Sequence, residues 1–360
     1  MDMPGTMMPR KGRGAVTNAS GRFEREERVA FDDGWDSADA EPAPLQTRLS
    51  VDATRTIIAR NDSPDIGFDR SINPYRGCEH GCVYCYARPS HAFLGLSPGL
   101  DFESRIFYKP QAAALLAAEL SRKGYTCKPI ALGSNTDPYQ PAERKLGITR
   151  AILEVLRDFR HPVTIVTKAA LVQRDIDILA EMAAERIAVV AVSVTTLDRA
   201  LARVMEPRAS TPERRLEAIA ALSKAGVPTG VMAAPMIPAL NDSEMEAILE
   251  RAREAGAVTA AYTMLRLPLE LKALFKEWLE QHAPNKAAHV LSLVAQSHGG
   301  RLYDSRWSTR MIGTGPYAAM LAARFDRACR RLGFRRRDIE ALDTSRFRPP
   351  PRAGDQLALF

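Results

Sequence analysis

From residue 111 to residue 265 short apolar runs alternate with amphipathic stretches, the pattern of strands buried on both faces of a parallel sheet and joined by helices. The apolar runs are "PIALGS" at 129–134, "PVTIVTK" at 162–168, "IAVVAVSV" at 187–194, "PTGVMAAPM" at 228–236 and "VTAAYTML" at 258–265. The segments "QAAALLAAELSRK", "GITRAILEVLRDF", "RDIDILAEMAAER", "TPERRLEAIAALSKAG" and "DSEMEAILERAREAG" carry apolar residues three and four apart, and Gly226 and Gly256 are suited to end helices. With a first strand just before Cys78 this makes about six β-α units, fewer than the eight of a closed barrel of roughly 250 residues. The expected fold class is α/β: a partial (β/α)6 TIM-type barrel with a C-terminal, mostly helical extension and disordered termini.

The expected organisation has four parts. Residues 1–50 mix Gly, Pro, Asp, Glu and Arg without either hydrophobic period and read as a disordered arm. Residues 51–267 hold the partial barrel. Residues 268–345 form the arginine-rich extension, with helices at "LELKALFKEWLEQH", at "PNKAAHVLSLVAQS" and near 316–332. Residues 346–360 form a disordered tail. No apolar run approaches the roughly 20 residues of a membrane helix, and "MDMPGTMMPRKGRG" lacks the apolar centre of a secretory signal, so a cytoplasmic protein with no membrane partner is expected.

Three of the five cysteines fall within "CEHGCVYC", as Cys78, Cys82 and Cys85. Spacings this short make a mutual disulfide framework awkward, and clustered thiols in a reducing compartment more often serve metal. A structural zinc needs a fourth ligand, for which His80 and Cys127 are in reach, but no second Cys-x2-Cys or His-x3-His pair follows. The four-cysteine run of bacterial ferredoxins is also missing. Three thiols on four irons leave one iron open to another ligand.

With Tyr84 before the third cysteine and a β-α series behind it, this loop resembles that of the radical S-adenosylmethionine (SAM) superfamily. The resemblance implies a 4Fe-4S cluster on Cys78, Cys82 and Cys85. It also implies SAM chelated by the open iron, an electron donor such as flavodoxin or ferredoxin, and cleavage of SAM to a 5'-deoxyadenosyl radical. More closely, residues 61–266 resemble the subgroup related to spore photoproduct lyase, through "NDSPDIGFDRSINPYRGCEHGCVYCYARPSH", "LGSNTDPYQPAE", "MEPRAST" and "APMIPALND".

By this resemblance SAM is held at the C-terminal ends of the strands, where barrel sites form. Tyr84, Ser134, Asn135, Lys168, Ser193 and Arg208 are its expected contacts. Ser134 and Asn135 would meet the methionine amino group, Lys168 or Arg208 the carboxylate, and Ser193 the ribose. Asp137 lies close behind, and His80 and His91 border the cluster loop. In spore photoproduct lyase a cysteine ending the second strand donates hydrogen to the product radical. Gly133 and Ser134 stand there in this chain, which argues against repair of the thymine spore photoproduct itself. Cys127 precedes the strand and should lie at its other end.

The formal charge is +7, and from residue 301 to 352 the basic residues are all arginine, interleaved with Tyr303, Trp307, Phe325, Phe334 and Phe347. Such a stretch can hold a phosphate backbone and stack on bases, or can be a solvated face over core aromatics. The chain ends in "RPPPRAGDQLALF", whose Gln356, Leu357, Leu359 and Phe360 resemble the short peptide by which bacterial repair proteins bind the DNA sliding clamp. The combined expectation is a radical SAM enzyme acting on nucleic acid, as a DNA repair-like lyase or a base-modifying enzyme. The alternatives are action on RNA, protein or a small molecule, and a non-catalytic, metal-stabilised adaptor for DNA or the clamp.

Overall fold

The computed structural model describes residues 10–25, 44–335 and 342–351. The strands, in chain order, are β1 (Arg48–Val51), β2 (Ile58–Arg60), β3 (Arg70–Ile72), β4 (Tyr75–Arg76), β5 (Arg105–Tyr108), β6 (Ile130–Leu132), β7 (Val163–Thr167), β8 (Ala188–Ser193), β9 (Thr229–Met236) and β10 (Thr259–Met264). The larger sheet runs β10-β9-β8-β7-β6-β3-β2. Its members from β3 to β10 pair in parallel, with Ile72 opposite Leu132, Leu132 opposite Ile165 and Ile165 opposite Val190. These six parallel strands match the six expected units, and the sheet is open rather than closed on itself.

Helices over Ala112–Leu120, Ile148–Asp158, Ile176–Ala184, Pro212–Lys224 and Met245–Glu254 fill the crossovers. Their apolar residues, Leu116, Ile152, Leu179, Ile219 and Ile248 among them, are fully buried with Ile130, Ile165, Val190 and Val231 of the strands. Each such side chain contributes about 1.5–3 kcal/mol by leaving water. Among the described residues no helix is long and apolar enough to cross a membrane.

The structure corrects several boundaries. The first barrel strand is β3, whereas β4, immediately before Cys78, belongs to a second sheet of order β1-β5-β4. That sheet and the antiparallel edge strand β2, three residues long, are too short to leave a hydrophobic period in the sequence.

The expectation of a loose arm over residues 1–50 does not hold for residues 10–25 or 48–50. Arg13, Gly14, Ala15 and Val16 are buried, and the backbone N–H groups of Gly14 and Ala15 donate to the Glu103 carboxylate at 2.9 and 2.8 Å. A Cβ on Gly14 would lie 1.8 Å from the Gly81 carbonyl oxygen. The glycine that reads as flexibility is here what lets one backbone cross another. Within the expected tail of 346–360, Phe347 packs against Tyr125 and His161, and the Arg348 N–H donates to the Phe159 carbonyl at 3.1 Å.

The extension has helices over Leu271–His282, Pro284–Gln296 and Gly315–Leu332. Phe275, Trp278, Leu279, Val290 and Val294 form one apolar cluster with Cys82, Val83 and Tyr84, so the extension is the packing support of the cysteine loop.

Candidate active site

Cys78, Cys82 and Cys85 lie on a loop that leaves β4 and turns twice through glycine. Gly77 and Gly81 have φ of 77° and 68°, a left-handed region that side chains rarely adopt. All three thiols are free, Cys78 and Cys82 are buried and Cys85 half-buried. Burial pushes all three thiol pKa values up. The Asp137 N–H donates to the Cys78 sulfur and the Ala87 N–H to the Cys85 sulfur, contacts that stabilise a thiolate or a cluster-bound sulfur.

A buried ion pair fixes the loop from behind. Arg88 and Glu103 are both fully buried, 2.5 Å apart. The Arg88 guanidinium also donates to the carbonyls of Gly81, Cys82, Pro98 and Gly99. One side chain thereby sets the path of the loop between its second and third thiols.

The site is built from residues at the strand ends of the larger sheet. After β3, Asn73 exchanges hydrogen bonds with the Ser134 hydroxyl and accepts from the N–H of Asn135 at 2.9 Å. Asn135 is therefore held through its backbone, as a turn former is. After β7, the Lys168 ammonium donates to Ser193 Oγ at 2.5 Å and to the Ala234 carbonyl at 3.2 Å, and stands 5.6 Å over the Tyr84 ring. Burial lowers the Lys168 pKa to about 8. Beyond β10, Arg266 lies 4.3 Å over the ring of Tyr86, whose hydroxyl donates to the Ser134 carbonyl.

Glu206 is the hub of this end of the barrel, and the sequence reasoning missed it. It is buried, and it accepts from the Tyr84 hydroxyl, from Thr195 Oγ1 at 2.7 Å and from the Arg215 guanidinium, with Lys168 Nζ at 3.7 Å. Tyr84 therefore spends its hydroxyl on the scaffold. The word "MEPRAST" had singled out Arg208, but Arg208 is exposed and pairs with Glu79 of the cysteine loop at 3.1 Å. Asp137 accepts from Thr167 Oγ1 and the Lys168 N–H, both at 2.7 Å, and lies 3.3 Å from His80 Nδ1. Burial alone would raise the Asp137 pKa; His80 and these donors outweigh it and hold the carboxyl below its usual range. His91 is buried against Phe102, away from any opening.

Among the described residues no group of three or more His, Cys, Asp and Glu is placed to hold one metal ion, the convergence a zinc knot requires. A multi-iron cluster makes a different demand, since each thiol binds its own iron. Cys78, Cys82 and Cys85 supply three thiols from one loop, two of them receiving backbone N–H groups, a donor set that fits such a cluster.

The arginine-rich extension is less available than its composition suggests. Arg306, Arg310, Arg324 and Arg331 pair with Asp304, Asp65, Glu246 and Glu250. Phe325 packs on Tyr262, Phe334 lies under Arg253, and only Trp307 among the five named aromatics is well exposed. Gln356, Leu357, Leu359 and Phe360 lie outside the described residues.

Comparison with known proteins gives a consistent result. The family model described as "Radical SAM superfamily" matches residues 72–252. The uncharacterized protein Rv2578c of Mycobacterium tuberculosis is 38% identical over 228 residues, 63% of this chain and 67% of the relative. MJ0683 of Methanocaldococcus jannaschii, also uncharacterized, is 29% identical over 213 residues, 59% of this chain and 76% of the relative. Spore photoproduct lyase complexed with dinucleoside spore photoproduct shares the fold with a TM-score of 0.58 at 17% identity, over 80% of this chain and 81% of that one. A variant of that enzyme with bound AdoMet and the same dinucleoside gives 0.57 at 15% identity, over 80% of each chain.

Proposed function

The chain belongs to the radical SAM superfamily, and from that premise we propose that it is an enzyme that cleaves SAM reductively and acts on nucleic acid, as a repair-like lyase or a base-modifying enzyme. Membership implies a 4Fe-4S cluster and SAM as cofactors. When bound, a cluster reduced by an external electron donor would supply one electron to the SAM sulfonium, giving methionine and a 5'-deoxyadenosyl radical.

The observation that carries this reading is the placement of three thiols, without a fourth, opposite Lys168 and Ser193 at the C-terminal ends of parallel strands. Cys78, Cys82 and Cys85 would hold the cluster. Lys168 would meet the SAM carboxylate as a point charge, and Ser193 and Ser134 offer hydroxyls to its ribose and amino group. Glu206 orients Tyr84 and Lys168. The apolar packing of the extension on Val83 and Tyr84 shields the loop from water. Arg208, which faces Glu79, and Asn135, which is held by Asn73, are assigned no SAM contact.

The nucleic-acid substrate is supported by the fold shared with a lyase solved on a dinucleoside photoproduct. The reaction is not a copy of that lyase's thiol-assisted repair. Gly133, at the end of β6, has φ of 91°, and a Cβ there would lie 2.1 Å from the Val166 carbonyl oxygen, so the position cannot take a cysteine. Cys127 precedes β6 and so lies at the opposite end of that strand from the site. A reducing compartment, and so the cytoplasm, suits these free thiols.

Anaerobic reconstitution is the test. The protein with iron, sulfide, SAM and a reductant should bind about four irons per chain and release 5'-deoxyadenosine; absence of both products would end the proposal. Within the site, Lys168→Met should weaken SAM binding by about tenfold or more at unchanged iron content, the loss of one charge-assisted hydrogen bond. Equal SAM affinity in the two proteins would remove Lys168 from the cofactor site. For the terminal peptide, deletion of Leu359 and Phe360 should abolish binding to the DNA sliding clamp; full-length protein that fails to bind the clamp refutes that docking role.

A further inference from the structure

Between the segments that follow β6, β7 and β8, with His80 of the cysteine loop in its wall, lies a cavity of about 510 Å³ whose lining shares no residue with the proposed SAM contacts. Four arginines line it, Arg144, Arg174, Arg208 and Arg214, together with His80 and Ser210. No aspartate or glutamate lines it, and neither do the three cysteines, Lys168 or Ser193. His80, between Cys78 and Cys82 in sequence, is the wall it shares with the cluster loop.

The counterions of these arginines all stand outside the cavity. Arg174 pairs with Glu143 and Asp175 at 2.7 and 2.8 Å, Arg208 with Glu79 at 3.1 Å, and Arg214 with Glu217 at 2.6 Å. Arg208 is tied through Nη2 and Arg214 through Nη1, which leaves the rest of each fork open. Arg144 is exposed and has no ion pair among the described residues. Arg214 and Ser210 also flank the start of the helix Pro212–Lys224, whose backbone dipole favours an anion.

We infer that this cavity is a binding site for a phosphate group, resting on the preceding reading of a nucleic-acid substrate and giving that substrate a point of attachment beside the cluster loop. Planar guanidinium forks match phosphate oxygens two at a time; Arg144, Arg208 and Arg214 keep donors open to this concave space, while Arg174, whose nitrogens are spent on Glu143 and Asp175, adds its charge. A single carboxylate would leave most of these donors unused. The extension is the poorer candidate, because Asp304, Asp65, Glu246 and Glu250 already hold Arg306, Arg310, Arg324 and Arg331.

The test uses full-length reconstituted protein without reductant, so that turnover is not required. Fluorescein-labelled single-stranded DNA and RNA of about twelve nucleotides are titrated by anisotropy at several salt concentrations, with inorganic pyrophosphate as competitor. The Arg144→Ala/Arg214→Ala double variant should bind the oligonucleotides about tenfold or more weakly, with a salt dependence shallower by about one to two counterions. Pyrophosphate should displace oligonucleotide from the wild type and lose its own affinity for the variant. Pyrophosphate binding that is lost in the variant, in a protein that binds neither oligonucleotide, would uphold the phosphate site and assign it to a small phosphorylated ligand, overturning only the nucleic-acid reading. The inference fails if the variant matches the wild type on every probe. It fails equally if the wild type binds neither pyrophosphate nor either oligonucleotide. Iron content and Tm of the variant, expected to be unchanged, establish that it is folded.

Discussion

Cys82→Ala should reduce the iron of the anaerobically reconstituted protein from about four per chain to near background, and 5'-deoxyadenosine release with it. Cys82 is buried at the centre of the loop, between Arg88, which fixes its carbonyl, and the apolar cluster of the extension. No fourth thiol stands in reserve, so removal of one of three ligands leaves two, and among the described residues no carboxylate or histidine converges to replace it. Cys127→Ala is the matched control. It lies at the opposite end of β6 from the site and should keep full iron and activity. Retention of full iron by Cys82→Ala would contradict the ligand assignment at its root.

The second large effect is on stability. Glu103→Ala should destabilise the protein by about 3–5 kcal/mol, because it leaves the Arg88 guanidinium buried without its counterion. The same change strands the N–H groups of Gly14 and Ala15, both in buried residues, and so releases the N-terminal segment from the loop. A fall in Tm on the order of 10 °C is expected, read by calorimetry on the metal-free protein. Glu103→Gln, whose single amide oxygen can still accept from either Gly14 or Ala15, should recover part of the loss. A Tm within about 2 °C of the wild type for Glu103→Ala would show that the pair is not what holds the loop. Because Arg88 also bonds the carbonyls of Gly81 and Cys82, the Ala variant should in addition load iron less completely.

The periodic elements were legible because their signals are local. A strand buried on both faces must be apolar throughout, as "IAVVAVSV" is, and a helix on that sheet must repeat at three and four, as "RDIDILAEMAAER" does. Both were placed to within a few residues. The cysteine loop was legible for the same reason, since all three thiols and Tyr84 come from eight consecutive residues. Strands β1, β2 and β4 carry no such signal. With two to four residues each, they exist only because distant partners pair with them.

The site residues divide along the same line. Lys168, Ser193 and Ser134 could be named from their positions at strand ends, and the structure brings Lys168 and Ser193 into direct contact. Arg208 could be named because an arginine beside a cofactor carboxylate is a familiar pairing, whereas the worth of a buried glutamate such as Glu206 depends on what surrounds it. Asn73, Glu103 and Glu206 look like ordinary surface residues until Ser134, Gly14, Tyr84, Thr195 and Arg215 are seen to converge on them.

The sequence by itself determined the alternating α/β order of this protein, the three-thiol loop and the superfamily that loop belongs to, since each rests on residues close together in the chain. The tertiary structure alone decided that residues 10–25 clamp the loop, that Glu206 organises the strand ends, and that Arg144, Arg174, Arg208 and Arg214 ring one cavity. Buried carboxylates and clustered cations are costly until their partners arrive from elsewhere in the chain, and which partners arrive is a property of the folded arrangement.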